Sequence, residues 1–544
     1  NHHSLEGIQM LKTTILSVLL TFIFALQLTA QPVRQKYMMR LSDNWETVGD
    51  LPTQALLISL QGVANRKAPR LYFLYPDNWD FKFTEPLYDY YKSTRKMEFK
   101  EIKTVDEALQ ALAKDVKSYV VWDKSVRTSL IVAFTYAGLT ESVIVSEELI
   151  PVVEKYGLKQ KEDFRGKFTG QSDIEIYEWA YDKYWDKCDK EYLVYLGGEW
   201  GKVMKPGIAD FGVMKRSFFT DASTDPADTL EYQFADKLFS QMKPMSIVMG
   251  WHSYKKDSEA QHVTLASNYA LRVEGLHTLP NMSFNHQIPV TPGFRFKNNH
   301  NVKPGKEYIP EEKVYISCIQ TDCLGIGAWT EPGRGEIPYA WEVTMNWSWL
   351  APAMLQFFYD MATPNDYFVG ALSGPGYMYP KAIPQKYLPQ TVEKAYELMM
   401  SLDLNVFEIM DHSNYWQSNG IDDDLPKSVL DAYYKGMPDV LGFASGYRPG
   451  HTFYVKDGKP FISYDYYMSE TRDETEAVAD LKELAQMNPK RPYFLLMHVR
   501  QWSDIKRVKR VLDELGPDFE LVPLDIFMKM AGEEPTFKTR YLPE

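Results

Sequence analysis

Residues 306–544 hold a series of apolar runs that end, one after another, in side chains able to carry or exchange a proton. Asp322 follows the first run, and Glu342 closes the second. The third leads into Ser373-Gly374-Pro375-Gly376-Tyr377, and the next into Asp411-His412-Ser413-Asn414-Tyr415-Trp416. Gly446-Tyr447-Arg448, Asp465-Tyr466-Tyr467, His498-Val499-Arg500-Gln501-Trp502 and Asp525 complete the set. Two carboxyl groups facing one bond can divide the work of general acid and general base, or of acid and nucleophile. Asp322, Asp411 and Asp465 fall at or just past the ends of runs and are the expected catalytic carboxylates, with His498 beside them as a candidate proton shuttle. Glu408 precedes Asp411 by three residues and reads as a buried structural carboxylate; Glu342 is ambiguous by the same alternation. Aromatic side chains make flat apolar platforms on which sugar rings can rest. Trp416, Tyr447 and Trp502 suit that role, and His412 and Arg500 complete the binding groups expected next to them.

Such a ring needs a scaffold that brings the ends of many strands to one place. Eight strands are expected: Lys313–Thr321, Pro338–Thr344, Tyr367–Ser373, Leu404–Met410, Asp439–Ser445, Lys459–Asp465, Pro492–His498 and Phe519–Leu524. Several are near-continuous apolar runs, as strands buried on both faces are. Helical periodicity falls between most of them, over Trp349–Met361, Gln390–Leu402, Lys427–Lys435, Asp473–Met487 and Asp504–Leu515. Thr471 and Glu474 have the spacing of a capping box ahead of one of these helices. The alternation predicts an α/β fold whose C-terminal part is an irregular (β/α)8-like, TIM-type barrel. The loop Leu324–Ile337 stands where the first helix would be. In that architecture active sites lie at the C-terminal ends of the strands, where the ring of chemistry is found. Strand ends are polar in any fold, but Asp, His, Arg, Trp and Tyr at so many of them exceed what solvation requires.

The preceding residues alternate helix and strand more finely and predict a layered α/β region with mainly parallel sheets. The organisation expected is a leader over 1–30, an α/β subdomain over 31–165, a second over 166–305 and the barrel over 306–544. Met10-Leu11-Lys12, the apolar run Ile15–Leu26 and Leu28-Thr29-Ala30 before Gln31 have the form of a secretory signal peptide, and no Cys follows as a lipid anchor. Export to the periplasm, cell surface or exterior is expected, with no stable membrane insertion after cleavage. The formal charge is −13 and the pI near 5.4, which argues against nucleic acid as a partner, because phosphate binding wants a basic surface. Three cysteines in 544 residues make no disulfide framework.

Gly374-Pro375-Gly376-Tyr377-Met378-Tyr379-Pro380 matches the signature GxGYxYP at all five fixed positions. In this the chain resembles the largely bacterial GxGYxYP glycoside hydrolase family. Trp341, Leu350-Ala351-Pro352 and Asn365-Asp366 are similar to that family's surroundings of the motif, as Gly250-Trp251, Glu259 and Asn281-Met282-Ser283 are to its N-terminal region. Many relatives carry an acidic Asp-Gly-Asp-Asn-like run after the first barrel strand. Thr321-Asp322-Cys323-Leu324 keeps only Asp322 of it, which weakens a metal-binding or catalytic role for that run. Gly374 and Gly376 allow a positive φ or a close backbone approach, and Pro375 and Pro380 stiffen the loop. Tyr377 and Tyr379 either present rings and hydroxyls to one cleft or belong to a turn that locks the loop to the barrel.

The resemblance implies a hydrolase acting on a carbohydrate through paired carboxylates, with no cofactor and no metal ion expected. A metal-assisted carbohydrate deacetylase and a non-catalytic glycan-binding scaffold are the alternatives; the first lacks a His pair after the third strand. There is no G-x-S-x-G, H-E-x-x-H or Walker A sequence. Asn281-Met282-Ser283 and Asn346-Trp347-Ser348 fit the glycosylation pattern. For the leader, N-terminal sequencing of protein from native cells is expected to start at or near Gln31; retention of Lys12–Leu26 would refute cleavage.

Overall fold

The computed structural model describes residues 34–544 except 42–49, 76–82, 197–207, 254, 275–278, 323, 325–327, 414–422 and 501–502. The leader, Trp416 and Trp502 therefore lie outside the described residues. Among those described, no helix is long and apolar enough to cross a membrane.

Three small parallel sheets come first. β1 (Lys36–Arg40), β2 (Leu71–Leu74) and β3 (Phe99–Ile102) lie in the order β2-β1-β3, and β4 (Ser118–Val121), β5 (Ser142–Val145) and β6 (Gln160–Asp163) in the order β5-β4-β6. β7 (Asp189–Leu196), β8 (Ser217–Thr220), β9 (Ile247–Trp251) and β10 (Arg272–Glu274) form the third, in the order β10-β9-β7-β8. The central runs are apolar and buried along their whole length because helices such as Leu51–Ala64 and Arg127–Thr140 cover them. Gly62 lets the first of these helices approach its neighbour: a Cβ there would lie 2.5 Å from the Asp210 carbonyl. A buried ion network ties the second sheet's region to the third. Asp221, fully buried, pairs with Arg127 and with Lys256 at 3.4 Å, and Lys256 reaches Glu231 at 2.9 Å. Asn281 is 1% exposed and bonds Gln61 and both backbone groups of Phe73. Asn346 is equally buried, so neither glycosylation match is accessible.

The fourth sheet is large and curled. β11 (Val314–Gln320), β12 (Tyr339–Thr344), β13 (Asp366–Ala371), β14 (Val406–Ile409), β15 (Gly442–Ser445), β16 (Phe453–Lys456), β17 (Lys459–Ser463), β18 (Tyr466–Met468), β19 (Tyr493–Val499) and β20 (Phe519–Leu521) build it. Its order is β16-β17-β15-β14-β13-β12-β11-β19-β18. β17 and β18 stand near opposite ends of that path yet are separated only by Tyr464 and Asp465. The sheet must therefore bend round until its ends meet. Alternation sorts the side chains: Tyr315, Ile319, Ala340, Val369, Val406, Ala444, Ile462 and Leu496 face inward and pack on helix Leu524–Glu533, while Ile316, Cys318, Trp341, Phe407, Phe443 and Met497 join the outer core.

The regular eightfold barrel is not the arrangement formed. β16 runs antiparallel to β17. β12 pairs only with Ile319 and Gln320 of β11, and β20 takes the other half of that edge, Val314–Ile316. Among the described residues only the short 3₁₀ turn Ala328–Thr330 lies between β11 and β12, and β20 fills the gap. The expected capping box also shifts: the helix begins at Glu474, capped by Asp473 with Glu476 answering it.

Helix Leu524–Glu533 fits so closely that a Cβ on Gly532 would lie 1.9 Å from the Gly458 carbonyl oxygen. Gly532→Ala is expected to lower stability by about 1–3 kcal/mol or more, as overpacking does; an unchanged urea midpoint would contradict this seating of the helix.

Candidate active site

Two residues beyond Ile319, Ala340, Val406, Ile462 and Leu496 on the same inward-facing rows come Thr321, Glu342, Glu408, Tyr464 and His498. They make a polar layer on top of the apolar interior. Glu342 and Glu408 are 2% and 1% exposed. The Tyr464 hydroxyl donates a 2.7 Å hydrogen bond to one Glu408 oxygen, and the other oxygen meets no N–H or hydroxyl. Burial pushes Glu408 up to about 7, against the pull of Glu342 and Tyr464 and with the help of the Asp322 charge. His498 shares a hydrogen bond with the Thr321 hydroxyl. It is packed among Tyr447, Tyr464 and Tyr467, with ring centroids 4.8, 5.1 and 4.9 Å away. Burial pushes its imidazole down to about 3, which favours the neutral ring.

Above this layer lies Asp322, where β11 ends in a left-handed residue with φ 65°. Its carboxylate pairs with Arg500; the two side chains are 23% and 21% exposed, within reach of solute. The Arg500 guanidinium lies 4.9 Å from the centre of the Tyr447 ring, a cation–π distance. Burial raises the Asp322 carboxyl above the ordinary carboxylate range; Arg500 opposes the rise, and the negative charge of Glu259 adds to it.

Glu259 belongs to the third small sheet's region. It is the first residue of helix Glu259–Asn268, which opens with a Ser258–Gln261 capping box. The Tyr377 hydroxyl donates a hydrogen bond to Glu259 and meets the Tyr379 hydroxyl at 3.1 Å. The Tyr377 ring stacks on Trp251 at 6.0 Å. The Glu259 charge also reaches His412.

The motif brings these halves together. Tyr377 and Val273 exchange backbone hydrogen bonds of 2.9 and 3.0 Å, and the Tyr379 N–H donates to Ser267. Arg272 donates to Asn346 at 2.8 Å and to the Pro375 carbonyl at 3.3 Å. A Cβ on Gly376 would come within 2.7 Å of Arg272 Cβ, and one on Gly374 within 2.8 Å of Met378 Sδ. Packing against Arg272 thus favours glycine at 376, and Tyr379, fully buried, serves the same seam. Tyr377 alone of these residues is half-buried and reaches Glu259.

His412 lies 2.8 Å from Asp423, between the Tyr379 and Tyr447 rings. Burial pulls its imidazole down, but the Asp423 hydrogen bond and charge, with Glu259 and Asp411, outweigh that and raise it. Asp411 is fully buried and accepts hydrogen bonds from the Lys381 N–H at 2.7 Å and from the Ser413 N–H and hydroxyl at 2.9 and 2.6 Å. That describes a structural carboxylate. Asp465 does not join the group either. Its carboxyl meets the Tyr493 hydroxyl, and Tyr493 shares the outer face of β19 with Leu495 and Met497. The strand expected to run through Lys459–Asp465 ends at Ser463, and Asp465, one position past the inward-facing Tyr464, lies on the outer side. Among the described residues no group of three or more His, Cys, Asp or Glu is arranged to hold a metal ion. An open pocket of about 310 Å³ lies elsewhere, against Arg66, Lys215 and His286, with no carboxylate in its lining.

Profiles of one family match the chain in four successive pieces. Residues 36–114, 116–188 and 190–287 match its first, second and third N-terminal domains, and residues 312–532 match "GxGYxYP putative glycoside hydrolase C-terminal domain". The chain belongs to the GxGYxYP family. A similar fold is seen in the crystal structure of "a putative hydrolase from Bacteroides thetaiotaomicron VPI-5482", at TM-score 0.75 and 18% identity, over 93% of this chain and 96% of that one. No curated protein matches.

Glu408 has an ordinary carboxyl near 4.5 when unfolded and one pushed up to about 7 when folded. Its contribution to stability is complete below about 4.5 and is lost as the pH rises through 7. Thermal unfolding midpoints are expected to fall over that window, and Glu408→Gln, which imitates the protonated form, to flatten the fall. A curve as steep as wild type would refute the burial argument.

Proposed function

We propose that the protein is an exported glycan hydrolase whose acid/base pair is Asp322 and Glu259, facing each other between the curled sheet and the third small sheet. The observation that carries this reading is the reach of the Glu259 charge to both Asp322 and His412 while Tyr377 of the family motif holds it. As general acid Asp322 would protonate the departing glycosidic oxygen, and burial and the Glu259 charge raise its hold on a proton while Arg500 opposes them. Glu259, fixed by the Tyr377 hydroxyl, then deprotonates water or attacks the anomeric carbon as that bond breaks. Tyr447, Tyr467 and Trp251 supply ring faces, and Arg500 holds Asp322 in place. The leader motif supports export, which would put the substrate outside the cytoplasm.

On a glycan panel Asp322→Asn and Glu259→Gln are expected to lower kcat by about 10²–10⁴-fold while thermal midpoints stay near wild type. Asp411→Asn should instead cost about 1–3 kcal/mol of stability through its unmet donors, and Asp465→Asn should change neither. Wild-type turnover in Asp322→Asn would sink the assignment. Binding of glycans by all variants, with turnover by none including wild type, would favour a glycan-binding protein.

A further inference from the structure

Away from the candidate site, segments distant in sequence meet round the open pocket of about 310 Å³. Arg66 follows helix Leu51–Ala64, Met214 and Lys215 end helix Ala209–Lys215, and Pro352 opens helix Pro352–Asp360; His286, Gln287 and Pro289 close the ring. The walls thus draw on the first and third N-terminal domains and on the C-terminal domain. Arg66 is held rigidly: it donates to the carbonyls of Gly138, Val213 and Met214 at 2.7, 2.8 and 3.1 Å and to Glu141 at 3.0 Å. Glu141 is shared with Lys117 and Arg216, so one carboxylate answers three cations there. His286 Nδ1 lies 2.9 Å from the Leu350 carbonyl, and its ring meets the Phe211 ring at 5.3 Å. The Lys215 ammonium stands 5.6 Å from the centres of the Phe211 and Tyr192 rings. Phe211, fully buried, therefore packs against both Lys215 and His286. Those rings ease the burial of the ammonium but supply no acceptor. Among the described residues it makes no hydrogen bond or ion pair. Burial pulls it down against the charges of Asp189 and Glu191, neither of which lines the pocket.

We propose that this pocket binds a small organic anion, a sugar-sized carboxylate or phosphate, with its charged group against Lys215 and Arg66. Lys215 is the group left to pair it, because Arg66 already gives four of its five N–H groups to protein oxygens. A space of about 310 Å³ stands at the small end for ligand sites, which suits a single ring and not a buried chain. Because the walls come from three domains, a bound anion holds them together and stabilises the folded chain. The site is separate from Asp322 and Glu259 and does not depend on the reaction proposed for them.

Full-length protein is titrated with glucuronate, with glucose 6-phosphate and, as the uncharged control, with glucose, by calorimetry and thermal unfolding. At least one of the two anions is expected to bind and to raise the unfolding midpoint; the tighter one names the charged group, carboxylate or phosphate. Lys215→Met is expected to weaken that binding roughly tenfold or more, the worth of one charge-assisted hydrogen bond. Lys215→Arg should keep most of it, Asp322→Asn should leave it unchanged, and any binding of glucose should be the same in Lys215→Met as in wild type. Should Lys215→Met not fold, NMR of wild type carrying ¹³C-labelled His provides the test: the His286 signal, identified by its loss in His286→Gln, is expected to shift as the anion is added. Equal anion affinity in wild type and Lys215→Met would overturn the proposal, as would loss of binding in Asp322→Asn. An unmoved His286 signal, or no binding of either anion at millimolar concentration, would do the same. Failure of every glycan to react would sink the proposed reaction and leave these measurements standing.

Discussion

Two backbone hydrogen bonds between Tyr377 and Val273 join the two halves of the candidate site. On one side is a short parallel sheet that carries Glu259 at the start of a helix; on the other is the curled sheet with Asp322 at its rim. Side chains reinforce the joint from beneath: Asn346 accepts from Arg272 and donates to Glu274, and Arg272 and Asn346 both donate to the Pro375 carbonyl. The absence of side chains at Gly374 and Gly376 lets the backbones come that close. Family membership is thus written in a seam. The motif is conspicuous because it has to fit between two bodies, and only Tyr377 of its side chains faces the cleft.

The interior of the curled sheet is apolar until its last row, where four polar side chains and a neutral imidazole replace the aliphatic ones. Burying a carboxyl costs several kcal/mol if it must stay charged. Glu408 lowers that cost by holding its proton more tightly, with Tyr464 donating to one of its oxygens. His498 avoids it by giving up its charge among three tyrosines. The floor of the cleft therefore carries less charge than its residue types suggest, while the rim carries more.

Strand positions were largely legible from residue pattern, because parallel strands covered on both faces leave near-continuous apolar runs. The run ends gave Asp322, Arg500 and Tyr447, which do meet. Asp465 stands one position past Tyr464, which faces inward, so alternation puts it on the outer side, and its place at the end of an apolar run concealed that. Asp411 was misread because nothing in the pattern shows that Lys381 and Ser413 already occupy its oxygens. Glu408 reads from sequence as a buried structural carboxylate, pointing either into the barrel or out to a helix; the structure puts it on the inward row, where that row ends. Glu259 carried no local signal beyond its likeness to family relatives. It reaches Asp322 only through the docking of a separate sheet, and no periodicity encodes that.

The closing segment Lys459–Met468 pairs with β15 through its first half and with β19 through its second. Its partner β19 is also the long neighbour of β11, with Val314 opposite Tyr493. During synthesis β11 must therefore wait for some 180 residues to emerge before that edge is covered, roughly 10–40 s at ordinary translation rates. Throughout that interval its unpaired N–H and C=O groups are open to any passing strand. A chain of this topology is thus most prone to mispairing on the ribosome, before the part that holds His498 and Arg500 exists.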